Sequence, residues 1–76
     1  MFELKVKEAF NFKTHSVLFG EGNKAYFDGK VQCDDKVLEI RSIYGNESEK
    51  LDKLAFQVLK GTIDDSLKGK TFKEVV

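Results

Sequence analysis

The sequence has no proline and no tryptophan, and its 76 residues hold a single cysteine, a single histidine and a single arginine. With Cys33 alone, no intramolecular disulfide can form, so the staple that small secreted domains rely on is missing. A reducing, cytoplasmic setting is expected. No stretch approaches the roughly 20 apolar residues of a membrane-spanning helix. The first residues, Met1-Phe2-Glu3-Leu4-Lys5, alternate charged with apolar side chains where a signal peptide needs an unbroken apolar run. An untargeted, non-membrane chain is therefore expected.

An excess of one charge is absent too. Thirteen Lys and Arg face thirteen Asp and Glu, for a formal charge of zero. The balance is local, with no segment forming the basic stripe of a strong nucleic-acid binder. Every cation but Arg41 is a lysine, which disfavours bidentate recognition of phosphate or guanine. At this length there is room for one core only, so residues 1–76 are expected to form one domain. So small a core has little apolar material to spare, and Phe2, Phe10, Phe12, Phe19, Phe27, Phe56 and Phe72 are all expected inside it. Tyr26 and Tyr44 are the better candidates for surface contact.

What is present is period-two patterning punctuated by glycine, asparagine and aspartate. Phe2, Leu4, Val6, Phe10 and Phe12 occupy even positions opposite a polar odd set, interrupted only at Glu8-Ala9. This predicts a first strand with one buried face. Val17-Leu18-Phe19 precedes the turn Gly20-Glu21-Gly22-Asn23, Ala25-Tyr26-Phe27 precedes Asp28-Gly29, and Val37 to Tyr44 precedes Gly45-Asn46. Each run is β-branched or aromatic and is bounded by turn formers. Four strands at such short spacing predict an antiparallel β-domain or barrel. The last six residues, from Thr71, read as a closing strand anchored by Phe72.

Residues 46–61 are ambiguous by local pattern. Leu51, Leu54, Ala55, Val58 and Leu59 fall at helical spacing, with Asn46 or Ser48 as a cap and Gly61 as a stop. Local pattern alone favours a helix of about three turns here; against it, Leu54, Phe56 and Val58 also fit an alternating strand, and a helix would leave Phe56 off its apolar stripe.

Each motif that suggests chemistry has a plainer account. Gly69-Lys70-Thr71 resembles the end of a phosphate loop, but the first glycine of that motif would fall on Asp64, and only five residues follow Thr71 in which to open a helix. His15 and Ser16 are adjacent, so on a strand they point to opposite faces and cannot pair as base and nucleophile. Cys33 has no second Cys or His at metal-ligand spacing and sits beside Asp34-Asp35, which does not lower a thiol pKa. Asp34-Asp35 and Asp64-Asp65 stand among turn residues, where aspartate bonds its own backbone. No catalytic group, metal or cofactor is expected.

The order of these features resembles the second domain of elongation factor Tu and its relatives, a small β-barrel that follows a GTPase domain. Val6-Lys7-Glu8-Ala9-Phe10 stands where that family has its opening strand. Val17-Leu18-Phe19-Gly20 is similar to the strand ending in glycine, and Gly29 to Ile40 to a strand, turn and strand. Ala55 to Gly61 followed by Asp64 to Phe72 resembles the acidic stretch and the Lys-Gly turn before the closing strand. The family's glycine-rich turn after strand one is replaced by Lys13-Thr14-His15-Ser16. The resemblance implies a strand over residues 54–60 and an all-β antiparallel barrel of about six strands; the alternative is an α+β domain with one helix near 47–60. It also implies contact residues in the opening strand, which fall near Glu8 and Phe12. GTP hydrolysis is not implied, since no GTPase sequence is present and no nucleotide is expected.

The resulting expectation is a non-enzymatic interaction module with a protein or RNA partner and candidate contacts at Glu8, Phe12, Lys68 and Lys70. The alternative is a translation-related RNA-binding protein that uses Lys-bearing loops such as Lys68-Gly69-Lys70.

Overall fold

The computed structural model describes residues 1–43 and 50–76. Six strands, β1 Glu3–Asn11, β2 Ser16–Gly22, β3 Asp28–Cys33, β4 Lys36–Ser42, β5 Leu54–Lys60 and β6 Thr71–Glu74, close into a barrel in the order β1-β2-β5-β4-β3-β6. Every pairing is antiparallel, and β6 closes the ring by pairing with both β1 and β3. This is the all-β fold that the strand punctuation predicts. The described part of the 47–60 segment contains no helix, because Leu54, Phe56 and Val58 alternate into the barrel between β2 and β4. The caps expected at Asn46 or Ser48, and Tyr44, lie outside the described residues.

The interior is filled from every strand. Phe2, Leu4, Val6, Leu18, Val31, Leu38, Ile40, Leu54, Phe56 and Phe72 are at most 1% exposed and form one contiguous cluster. Phe2 stacks on Phe27 with ring centroids 4.4 Å apart and meets Phe56 edge-on at 5.3 Å. At the end where β1 finishes, Ile63 and Leu67 plug the barrel, and Asn11 Nδ2 donates to the Ile63 carbonyl at 2.8 Å. Leu67 ends a single 3₁₀ turn, Asp65–Leu67, capped by the Asp64 carboxylate, which accepts from the Ser66 N–H at 2.9 Å and from the Ser66 hydroxyl.

The third strand is displaced from its expected place. Ala25-Tyr26-Phe27 is not a strand, and Asp28-Gly29, which reads as a turn, opens β3. The reason is the Ser42 hydroxyl on β4. It accepts from the Phe27 N–H at 2.7 Å, while the Asp28 carboxylate accepts from the Ser42 N–H at 3.1 Å. These bonds pin the connection at the barrel mouth and start the ladder at Asp28↔Arg41.

The sharpest departure lies in β1. Its pairing with β2 runs Leu4↔Gly22, Lys5↔Glu21, Val6↔Gly20 and then skips to Glu8↔Phe19, leaving Lys7 as the extra residue of a β-bulge. A bulge shifts the alternation by one, so side chains beyond it exchange faces. Before it Leu4 and Val6 point inward; after it Ala9 does, and Phe10 and Phe12 are turned out to 45% and 53% exposure. Phe19 is also outward, at 38%. The expectation that all seven phenylalanines are core is thus corrected for these three. The interruption at Glu8-Ala9 in the period-two pattern is the sequence mark of the bulge.

Candidate interaction face on the outer wall of the barrel

The turned-out rings form one group. Phe10 lies 5.6 Å from Phe19 in an edge-on arrangement and 6.1 Å from Phe12, and Phe12 stacks at 5.1 Å on the imidazole of His15. The β1–β2 hairpin makes this possible. Phe12 donates its N–H to the His15 carbonyl at 2.7 Å, and Ser16 Oγ donates to Asn11 Oδ1 at 2.6 Å, holding the turn tight enough to bring the two rings together. Thr14 Oγ1 lies 3.1 Å from His15 Nδ1 and orients the imidazole.

Beneath the rings sits Val17, directly opposite Phe10 in the β1–β2 register. It is only 4% exposed, yet it stands apart from the barrel's core cluster. Its cover comes from the outer face, where cross-strand and same-face neighbours stabilise each other. From Phe10 the row winds round the barrel as Phe10↔Val17↔Gln57↔Arg41, three of its six strand steps, and so ends on the opposite side. Arg41 Nη2 donates to Gln57 Oε1 at 3.2 Å, closing its far end. Leu59, 44% exposed, follows Val58, the partner of Ser16, and so extends the apolar surface along β5 toward the hairpin turn.

Charged groups frame this face. Lys7, released by the bulge, donates to the Asp52 carbonyl at 3.3 Å. Glu8 lies opposite Phe19 and accepts from Lys68 at 3.1 Å. That contact, first through the hydrogen bond and then through the charge of Glu8, raises the Lys68 pKa above 10.5.

Of the four candidate contacts, Glu8 and Lys68 are joined to each other, Phe12 belongs to the ring group, and Lys70 points elsewhere, 3.8 Å from Asp34. The Lys68-Gly69-Lys70 loop therefore does not present two free ammonium groups. His15 and Ser16 do not pair as base and nucleophile; each bonds a different neighbour. Among the described residues there is no cluster of three or more His, Cys, Asp or Glu able to hold a metal, and no helix long and apolar enough to cross a membrane. Cys33 is half-buried against the core. Phe10 and Phe19 were missed as surface residues by sequence patterning, and only the Glu8-Ala9 interruption gave a sign of the change of face.

Comparison with known proteins gives no match: neither a family model, nor a curated protein, nor a solved structure corresponds to this chain.

Proposed function

We propose that the protein is a non-enzymatic interaction module that binds a macromolecular partner, protein or RNA, through the outer face of β1 and β2. The observation that carries this reading is the outward placement of Phe10, Phe12 and Phe19 as one contiguous group. Scattered exposed apolar residues are ordinary, but a contiguous patch on a small soluble domain marks an interaction surface. The sequence spends three of its seven phenylalanines on this wall, in a fold that has few large side chains to fill its core. Kinship with the translation-factor second domain belongs to the same proposal and rests on the residues quoted for it. A cytoplasmic setting is supported by the single unpaired cysteine.

The test is a photo-crosslinking residue placed at position 12 and, separately, at Lys30 on β3, in cells expressing the full chain. Adducts should form from position 12, disappear when Phe19→Ala is added, and be absent from position 30. Equal yields from both positions, or none from position 12, would contradict the reading.

A further inference from the structure

Resting on the reading that the outer β1–β2 wall is the contact surface, we infer that its ligand is single-stranded nucleic acid, with bases on the rings of Phe10, Phe12, His15 and Phe19 and phosphates on Lys7 and Lys13. Sequence-tolerant binding of single strands needs exposed π-surfaces and cations beside them. Both are present. The four rings follow one another at centroid steps of 5.1 to 6.1 Å.

The charges around the rings are arranged for an anion. Lys7 and Lys13 have no carboxylate within ion-pair distance among the described residues, and Lys7 bonds a carbonyl oxygen. Glu8, the acid set among the rings, is neutralised by Lys68. Glu21, the next outward residue on β2 after Phe19, bounds the face at its other end. The even spread of charge along the chain argues against a duplex-binding stripe, but stacking on a short strand requires only a few local cations.

A second copy of this chain fits less well. The three rings expose on the order of 300 Å², well short of the roughly 800 Å² per partner of a stable dimer.

The test is fluorescence anisotropy of the full chain with labelled ten-nucleotide oligo(U) and oligo(dT). Binding is expected at about 20 mM salt and should weaken roughly 25-fold by about 200 mM if two phosphates are neutralised. Phe12→Ala and Phe19→Ala should each weaken it by about 5- to 150-fold, with their thermal unfolding monitored in the same buffer to show that they are folded. Lys13→Gln should lower the slope of log K against log salt by about 0.7, and Lys30→Gln should leave it unchanged. Absence of binding at low salt, binding by folded Phe12→Ala within twofold of the parent, or equal Phe12-dependent binding of polyglutamate would overturn the inference. If oligonucleotides fail while position 12 still crosslinks to protein in a Phe19-dependent way, this inference falls and the interaction reading stands. If both fail, both fall.

Discussion

Phe10 and Val17 face each other across β1 and β2 on the outside of the barrel, and the ring shields the valine from solvent although neither belongs to the central core. The contact is a small second apolar cluster, built where a β-sheet wall would ordinarily be polar. It couples a local irregularity, the Lys7 bulge, to a surface property, because the bulge determines which way Phe10 points.

The two residues are expected to respond differently to mutation. Val17→Ala should destabilise the fold by about 1–2 kcal/mol through lost burial and a partly unfilled space. Phe12→Ser, at an exposed ring, should stay within about 0.5 kcal/mol. Urea denaturation followed by circular dichroism distinguishes them; equal losses would mean that the ring group is structural.

Removing Lys7 should leave the rings where they are. Deletion of this residue takes out the bulge and lets Val6↔Gly20 run directly into Glu8↔Phe19, so Ala9 stays inward and Phe10 and Phe12 stay outward. The bulge absorbs one exposed residue and leaves the core unchanged, so a stability within about 1 kcal/mol of the parent is the expected outcome of thermal melts. A loss of several kcal/mol would show that the ring face depends on Lys7 itself.

Glycine at position 20 is required by close approach. It pairs with Val6, and a Cβ there would lie far inside van der Waals contact distance of the Lys5 carbonyl oxygen. Gly20→Ala should cost at least about 2 kcal/mol. Gly69, with φ of 84° but open space around it, should cost only about 1 kcal/mol when changed to alanine. The order of the two melting midpoints is the check.

Stability should depend on pH at both extremes. The exposed Asp64 carboxyl titrates below its usual 3.8, first because the Ser66 hydroxyl and then the Ser66 N–H bond its ionised form. Its contribution is present above the unfolded-state value and lost as pH falls through the lower folded value. Asp64→Ala should therefore flatten the acid limb of the melting curve below about pH 4. Lys68, raised by Glu8, contributes below 10.5 and loses that contribution as pH rises through its higher folded value. Glu8→Gln should flatten the alkaline limb. Persistence of either slope in its variant would contradict these assignments.

How far the sequence reveals this architecture depends on which residues carry it. Alternation in Leu4-Lys5-Val6 is a purely local signal, and the strand appears where it predicts it; Leu54 to Val58 also fits helical spacing, and its place as a strand is decided by pairing with β2 and β4. Closure by β6 follows from Phe72, the one large apolar side chain of a four-residue strand. The outer face was hidden because a bulge is decided by the partner strand: nothing in Phe10 itself says which side of the sheet it occupies. The start of β3 was hidden from the alternation pattern, since it depends on Ser42, fifteen residues away from Phe27, whereas the resemblance implies a strand opening at Gly29.

The central claim is that the outer β1–β2 wall, and not the barrel core or its ends, meets the partner. Aromatic carbon NMR of the phenylalanine-labelled protein, recorded in buffer and then in clarified extract of its host cells, tests it most directly. The account predicts that signals of Phe10, Phe12 and Phe19 shift or broaden in extract while those of Phe2, Phe56 and Phe72 stay unchanged. Unchanged spectra for all seven rings, or uniform broadening of all seven, would contradict it.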